Sequence, residues 1–215
     1  MIRLRNIRFR YGPRYVLDGV DLDIETKDRV GLIGPNGSGK TTLAHIIMGL
    51  EIPESGEVEI FGKKRIREAD FMDIRGPIGF LFQDSDDQLF CPTVLEDVAF
   101  GPLNLGQTPE QAKRTVTETL HMLELNGFEE RITYKLSGGE KRLVALATVL
   151  AMKPVFLILD EPTTGLDENT TKRLIQILRG SSLGYLIISH DSDFLAQTVT
   201  RTFILRDGRL VASRG

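Results

Sequence analysis

A glycine-rich stretch, GPNGSGKTT at positions 34–42, carries the most specific chemistry in the sequence. It fits the pattern G-x-x-x-x-G-K-[ST], in which Lys40 is the lysine and Thr41 the hydroxyl residue. The glycines let the backbone curl, so that successive N–H groups point at phosphate oxygens. We expect Lys40 to reach the β- and γ-phosphates of a nucleotide and Thr41 to bind Mg²⁺. The predicted phosphate-binding residues are Gly34, Pro35, Asn36, Gly37, Ser38, Gly39, Lys40, Thr41 and Thr42.

Two acids, Asp160 and Glu161, follow the continuous apolar run VFLIL at positions 155–159. A buried strand of this kind can hold acids at its carboxyl end, away from bulk water. Asp160 is suited to holding Mg²⁺ and Glu161 to acting as a general base that polarises an attacking water, a role worth ~10²–10⁴ in rate. The alternative, that both acids only cap a helix, is disfavoured because a phosphate loop is expected in the same sheet.

Short apolar runs alternate with helical patterns along the chain, which predicts a mostly parallel sheet with helices on both faces. Alternating strands before residue 25 predict an added antiparallel layer, and the pattern of residues 84–150 predicts an inserted helical subdomain. The predicted strands lie near 2–9, 16–24, 29–34, 54–62, 78–83, 155–161 and 184–191, followed by a hairpin through Asp207-Gly208. The predicted helices lie near 41–50, 108–125 and 141–152.

The composition narrows the class of protein. The chain has 215 residues, 41% of them hydrophobic, and a net charge of −3, which argues against nucleic acid as a general partner. The single cysteine, Cys91, excludes an intrachain disulfide and favours a reducing compartment. No apolar run approaches the ~20 residues needed to cross a bilayer, and the start lacks the apolar centre of a signal peptide. We therefore expect a cytoplasmic protein whose membrane role, if it has one, comes through another chain.

Three further motifs identify a family. LSGGE (136–140) precedes an apolar helix, EPTTGLD (161–167) follows the predicted catalytic strand, and ISHD (188–191) ends the next strand. Together with the phosphate loop, with Tyr11 and with Gln83, these motifs resemble in order and spacing those of the ATP-binding cassette (ABC) ATPases. The resemblance covers essentially the whole chain.

The resemblance implies a fold and an activity. The expected fold is α/β, a P-loop NTPase core whose mostly parallel sheet is flanked by helices, with an antiparallel β layer and an α-helical subdomain at about 84–150. All of this would belong to a single ABC ATPase domain, 1–215. The implied activity is Mg²⁺-dependent ATP hydrolysis, with ATP and Mg²⁺ as cofactors.

The resemblance also implies roles for individual residues. Tyr11 would stack on adenine, and His190 would contact the γ-phosphate and position the attacking water with Glu161. The residues implied in catalysis are Lys40, Gln83, Glu161 and His190. Those implied at the metal ion are Thr41, Gln83 and Asp160.

A second cassette is the first implied partner. Two cassettes would pair head to tail, with ATP between the phosphate loop of one and the signature of the other, and with Asp167 at the seam. The signature residues implied in ATP binding are Ser137, Gly138, Gly139 and Glu140. Many members of the family have glutamine at the position of Glu140, so the contact made by this carboxylate is an open question, as is the choice between a homodimer and a pair with a paralogue.

The stretch QDSDDQLF at positions 83–90 points to a second partner, an integral membrane transport subunit. It opens a longer segment, 83–106, that resembles the cassettes of energy-coupling-factor (ECF) importers of the cobalt/nickel and vitamin class. An acidic rim beside apolar side chains suits a short helix that carries arginine and an apolar face. The predicted docking residues are Asp84, Asp86, Asp87, Leu89 and Phe90.

We therefore expect the ATPase subunit of an ECF-type importer, peripheral on the cytoplasmic face of the membrane, with cobalt or nickel as cargo. A vitamin importer and a soluble ABC ATPase without a transport role are the alternatives. A regulatory module that binds but does not hydrolyse nucleotide is disfavoured because Glu161 and His190 are both present. A solvated acidic loop without a partner is the alternative for residues 84–87.

Overall fold

The computed structural model describes residues 1–212, and this part of the chain contains ten strands and six α-helices. The strands are β1 (Ile2–Tyr11), β2 (Arg14–Ile24), β3 (Arg29–Ile33), β4 (Ser55–Ile60), β5 (Lys63–Arg65), β6 (Ile78–Leu81), β7 (Phe156–Asp160), β8 (Gly184–Ile188), β9 (Arg201–Arg206) and β10 (Arg209–Ala212). The helices are α1 (Lys40–Met48), α2 (Val94–Asn104), α3 (Pro109–Met122), α4 (Gly138–Ala151), α5 (Glu168–Gly180) and α6 (Ser192–Thr198). Short 3₁₀ segments lie at Glu68–Ile74, Ser85–Asp87 and Thr133–Lys135.

The central sheet has six strands in the order β10-β9-β3-β8-β7-β6. All neighbours pair in parallel except β10, which forms an antiparallel hairpin with β9. Every residue of β6, β7 and β8 is buried, as expected for strands covered on both faces. The predicted fold class, a P-loop NTPase core with an antiparallel β layer and helices, is confirmed.

The second sheet is antiparallel, with the strand order β2-β1-β4-β5. The apolar residues of β1 alternate with exposed arginines, so one face of the strand packs inward and the other faces solvent. Each exposed arginine of β1 pairs with an acid: Arg3 with Glu59 at 3.1 Å, Arg5 with Asp23 at 2.7 Å, Arg8 with Asp18 at 3.2 Å and Arg10 with Glu54 at 2.9 Å.

Two apolar clusters cover the two faces of the central sheet. The first lies between the sheets around α1, and the second lies under α2 to α5. Successive residues of β7 serve both, because Ile158 packs in the first cluster and Leu157 and Leu159 in the second. The sheet is therefore fixed on both sides, and the carboxyl ends of its strands provide a rigid edge for a site.

The region between β6 and β7 contains α2, α3 and α4. Thr93 caps α2 and exchanges hydrogen bonds with Glu96, a local signal strong enough to start a helix that contains Pro102. Ser137 caps α4, so that helix begins at Gly138, three residues earlier than the apolar pattern at 141 predicts. The division of the chain into a core and a subdomain at 84–150 stays a prediction. Across residues 1–212, none of the helices combines the length and apolarity required to cross a bilayer.

Candidate active site

The phosphate loop connects the end of β3 to the first turn of α1. Gly37 and Gly39 have φ angles of 74° and 101°, conformations that favour glycine, and a Cβ on Gly39 would lie 2.6 Å from a methyl carbon of Val16. Lys40 is 8% exposed, and its Nζ donates hydrogen bonds to the carbonyls of Gly34 and Pro35, at 2.9 and 3.1 Å. The loop therefore has the open backbone and the buried cation that binding of a polyphosphate requires.

Thr41 and Asp160 meet across the sheet. The Thr41 hydroxyl donates a 2.6 Å hydrogen bond to Oδ2 of Asp160, at the end of β7. Burial raises the pKa of Asp160 above its usual value, while the Thr41 hydroxyl acts in the opposite direction. The other carboxylate oxygen of Asp160, Oδ1, is buried and has no hydrogen-bond partner among residues 1–212. A hydroxyl beside an unpartnered buried carboxylate oxygen is a donor set that fits Mg²⁺.

Glu161 lies next to Asp160, with a φ of 48°, an uncommon conformation for a residue other than glycine. Its backbone N–H donates to the carbonyl of Ile188 at 2.8 Å, which anchors it to the end of β8. Its Oε2 lies 2.9 Å from Nδ1 of His190, and the His190 side chain is 79% exposed. Oε2 is buried and forms no aligned hydrogen bond within the described residues. The Glu161 carboxylate is therefore shielded from solvent at Oε2, next to the exposed imidazole of His190.

A cleft of about 380 Å³ collects most of the predicted site residues. Those that line it are Tyr11, Asn36, Gly37, Gly39, Lys40, Thr41, Thr42, Gln83, Asp160 and Glu161. Tyr11 is 53% exposed at the end of β1 and donates to a carboxylate oxygen of Glu51 at 3.2 Å, so its ring forms one wall. Gly34 and His190 line a second cavity, and Pro35 and Ser38 line a third.

The signature residues do not line this cleft; they form the start of α4. Ser137 and Glu140 exchange hydrogen bonds between backbone N–H groups and side chains, a capping box, at 2.8 and 3.3 Å. The other Glu140 oxygen accepts a 2.9 Å hydrogen bond from Arg131. These bonds, chiefly that from the Ser137 N–H, lower the pKa of Glu140. The carboxylate therefore has local partners in this chain, and Gly138 and Gly139 begin the helix with free N–H donors.

Arg142 is the residue that the sequence analysis missed. It is 3% exposed, and its guanidinium donates to the backbone carbonyls of Phe82, Gln83, Asp160 and Glu161. Burial lowers its pKa to about 10, so the group stays charged at neutral pH. The available signal was a single arginine in the run RLVALATVLA of α4, which is otherwise apolar except for Thr148, since a charge in a buried helix needs partners.

The acidic segment after Gln83 is fastened to α4. Gln88 donates to the Ala145 carbonyl at 3.0 Å and to the Thr148 hydroxyl at 2.8 Å. Asp86 forms a 2.5 Å ion pair with Lys141, also on α4. Asp86 therefore has a partner within the chain, while Asp84 and Asp87 are exposed and form no salt bridge with any described residue.

An apolar groove of about 240 Å³, here called the Phe90 groove, opens beside this segment. Phe90 is 65% exposed and Phe100 is 49% exposed, and their rings meet edge to face with centroids 4.9 Å apart. Leu50, which also lines the groove, is 46% exposed. Leu89 instead packs against the second apolar cluster, so the exposed apolar surface is made by Phe90 and its neighbours.

Comparisons with known proteins find relatives that are named as ATP-binding proteins, in agreement with a phosphate-binding loop in this chain. The sequence pattern of the family described as ABC transporter matches residues 17–164. A protein of Nitratidesulfovibrio vulgaris, provisionally named as an ABC transporter ATP-binding protein, is 54% identical over 216 residues, which cover 100% of this chain and 79% of the relative. The energy-coupling factor transporter ATP-binding protein EcfA of Methanothermobacter thermautotrophicus is 44% identical over 217 residues, with 99% and 70% covered. The cobalt import ATP-binding protein CbiO of Syntrophus aciditrophicus is 40% identical over 216 residues, with 98% and 77% covered.

Two solved structures resemble the chain over nearly its full length. The cbiO1 protein from Clostridium perfringens, described as part of the ABC transporter complex cbiONQ, has a TM-score of 0.85 at 30% identity and covers 98% of this chain and 86% of its own. The ATP-binding cassette MJ0796, described as a dimer in a post-hydrolysis state bound to ADP and Pi, has a TM-score of 0.89 at 31% identity and covers 100% of both chains.

Proposed function

Since the chain belongs to the ABC transporter family and is an ATP-binding ATPase of its cassette type, we propose that it energises an ECF-type importer, with cobalt or nickel ions as the cargo. The single observation that carries this proposal is the Phe90 groove, an apolar surface lined in part by Gln88 and Phe90, which follow the exposed acids Asp84 and Asp87 in the sequence. The EcfA and CbiO relatives support the importer type, and the CbiO and cbiO1 names support the cargo.

The proposed reaction is attack of water on the γ-phosphorus of ATP. A new bond forms between the water oxygen and phosphorus, the bond from phosphorus to the bridging oxygen breaks, and its electron pair leaves with ADP. Glu161 accepts the proton as general base, and His190, whose Nδ1 lies 2.9 Å from Glu161, holds the carboxylate and the γ-phosphate in place. Lys40 and the loop N–H groups stabilise the negative charge on the phosphates.

The residues at the end of β7 fit a magnesium ion. Thr41, Asp160 and Gln83 would hold it, and the unpartnered Oδ1 of Asp160 is the observation that supports this assignment. When bound, the ion supplies positive charge that offsets the charge of the β- and γ-phosphates. Tyr11 would stack on adenine, and stacking of a base on an aromatic side chain contributes ~1–3 kcal/mol.

We assign the signature residues to a second cassette, a homodimer partner or a paralogue. Ser137, Gly138 and Gly139 begin α4 outside the cleft of their own chain, and a helix start presents N–H donors and a positive dipole end. The dimer of the cassette MJ0796 supports such a pair. Glu140 would stabilise the helix start through its capping box rather than bind ATP directly, because both of its oxygens have partners in its own chain.

A membrane subunit would dock on the Phe90 groove. Phe90, Phe100 and Leu50 offer the apolar surface, and Asp84 and Asp87 offer charge to an arginine-bearing helix. Asp86 forms an ion pair with Lys141, and Leu89 packs against the second apolar cluster. We therefore propose that these two residues do not take part in docking. This arrangement would keep the chain at the cytoplasmic face of the membrane, with the choice of cargo made by a separate component.

The test is capture of partners from detergent-solubilised native membranes by the tagged chain, followed by mass spectrometry. Phe90→Glu places a charge in the groove at an exposed position, and Phe61→Glu, in the β4–β5 turn, is the matched control for an exposed phenylalanine elsewhere. If Phe90 is an interface anchor worth about 2 kcal/mol, Phe90→Glu lowers recovery of an integral membrane protein more than about tenfold. Equal recovery with both variants contradicts the docking site, and recovery of no membrane protein by the wild type favours a soluble ABC ATPase. Co-purification of a vitamin-binding component would instead favour the vitamin importer.

A further inference from the structure

Arg142 connects two strand ends that are far apart in sequence but adjacent in the sheet. Its guanidinium donates to the carbonyls of Phe82 and Gln83, after β6, and to those of Asp160 and Glu161, after β7. Strands β6 and β7 are parallel neighbours, with Leu81 opposite Leu159, so these carbonyls lie just beyond the last paired residues of the ladder. Buried carbonyl oxygens need hydrogen-bond donors, and the planar guanidinium of an arginine supplies several N–H donors in one plane.

We infer that Arg142 is a positioning residue for ATP hydrolysis: it holds the backbone of Gln83 and of Glu161 in a fixed relation to each other and to the start of α4. This inference rests on the proposed roles of Gln83 and Glu161. Arg142 itself is not among the residues that line the cleft. It would act through the two residues whose carbonyls it binds.

The conformation of Glu161 gives the inference its physical basis. A φ of 48° at a residue other than glycine persists only where the surroundings determine it. Arg142 binds the Glu161 carbonyl at 2.8 Å, while the Glu161 N–H is bound by the Ile188 carbonyl at 2.8 Å. The peptide group after the Glu161 Cα is therefore held by α4, and the peptide group before it is held by β8. Together these two contacts set the direction of the carboxylate.

The same guanidinium couples the cleft to the signature. Ser137, which caps α4, lies only five positions before Arg142 on one helix. Since the first turns of a helix move as a unit, a shift of the signature on binding a second cassette would displace the guanidinium and the carbonyls it holds. A displacement of about 1 Å at a reacting group can cost about 10²-fold in rate.

Arg142→Met, in the purified chain, is the main test. It keeps the apolar length of the side chain and removes the donors. We expect kcat for ATP hydrolysis to fall about 10–100-fold, while the affinity for ATP measured by calorimetry stays within about threefold, because the phosphate loop is not part of the contact. Arg142→Lys, which keeps the charge but has one nitrogen, should give an intermediate kcat.

Arg65→Met is the matched control. Arg65 is also buried, at 6% exposure, and also donates to backbone carbonyls, those of Ile60 and Asp70, but it lies in the antiparallel sheet. Both substitutions should lower the melting temperature, and only Arg142→Met should lower kcat. A comparable loss of kcat in Arg65→Met would show that general loosening explains the effect and would overturn the inference.

A double-mutant cycle separates the inference from the proposed function. If Arg142 acts through Glu161, Arg142→Met should change kcat by less than about twofold in a Glu161→Gln background. Wild-type turnover in Glu161→Gln would overturn the proposed role of Glu161, whatever Arg142→Met does. Wild-type kcat in Arg142→Met, together with an inactive Glu161→Gln, would overturn the positioning role alone. If Arg142→Met does not fold, Arg142→Lys decides: reduced kcat at unchanged affinity supports the inference, and wild-type kcat overturns it.

Discussion

Asp97, a buried carboxylate in the first turn of α2, connects three segments near the Phe90 groove. It is 3% exposed, and its Oδ1 accepts hydrogen bonds from the backbone N–H groups of Phe90 and Cys91, at 3.1 and 2.9 Å. Its Oδ2 accepts a bond from the Thr133 hydroxyl at 3.2 Å, just before the signature. Replacing Asp97 by alanine leaves two main-chain donors and one hydroxyl without this acceptor.

The expected loss follows from these three bonds. A buried donor left unpaired costs about 1–3 kcal/mol, so the two N–H groups, which are partly buried, set an upper limit of roughly 2–6 kcal/mol. Water that enters the gap beside Cys91 and the removal of a buried charge both offset part of this cost. We therefore expect Asp97→Ala to lower the free energy of unfolding by about 3 kcal/mol. Asp97→Asn keeps an acceptor for the two N–H groups and should cost about 1 kcal/mol.

Urea unfolding of the purified chain, followed by circular dichroism, measures both values, since the midpoint shifts by the free energy divided by the slope. A second readout is membrane-subunit capture, because the position of Phe90 depends on the same carboxylate. A loss under about 1 kcal/mol for Asp97→Ala would contradict the reasoning. It would mean that the N–H groups of Phe90 and Cys91 are satisfied by other means and that Asp97 does not hold this loop.

Two further predictions concern the proposed chemistry. Lys40→Ala removes the buried ammonium next to the phosphate loop, so ATP binding measured by calorimetry should weaken by at least about tenfold. Lys63→Ala is the control for loss of a surface lysine. An unchanged ATP affinity in Lys40→Ala would refute the role of Lys40 in binding phosphate. Glu161→Gln keeps the shape of the side chain but removes the base, so ATP turnover should fall about 10²–10⁴-fold. An ATP-bound dimer should also accumulate, which light scattering detects. Wild-type turnover, or a monomer at saturating ATP, would contradict the role of Glu161 as general base.

The elements that position the site were predictable because their signals are local. A loop with glycines at 34, 37 and 39 before a capped helix, and an apolar run that ends in Asp160, each need only a few neighbouring residues to be recognised. The sheet then brings the Thr41 hydroxyl to the Asp160 carboxylate, since the carboxyl ends of parallel strands share one edge. What these residues do with ATP and Mg²⁺ stays a prediction.

Two of the features that escaped prediction depend on contacts between residues that are distant in sequence. The partners of Arg142 are carbonyls 59 and 60 positions away at Gln83 and Phe82, and a carbonyl looks the same whatever the residue type. The ion pair of Asp86 with Lys141 joins two side chains, and it was hidden because they are 55 positions apart in the sequence. The helix at 94–104 escaped prediction for another reason: Pro102 argues against a helix. In the structure the capping box of Thr93 and Glu96 nevertheless starts a helix there.

The ladder of ion pairs along β1 has a consequence for how this surface meets charged molecules. A strand with an arginine at almost every second position suggests a positive stripe, yet each arginine pairs with an acid: three of these acids lie on the neighbouring strands, and Glu54 lies just before β4. A polyanion approaching this face would meet a row of dipoles of near-zero net charge and would have to break each pair before gaining a contact. The release of counterions that drives unspecific binding to nucleic acids would therefore be small here, however basic the first ten residues look in the sequence.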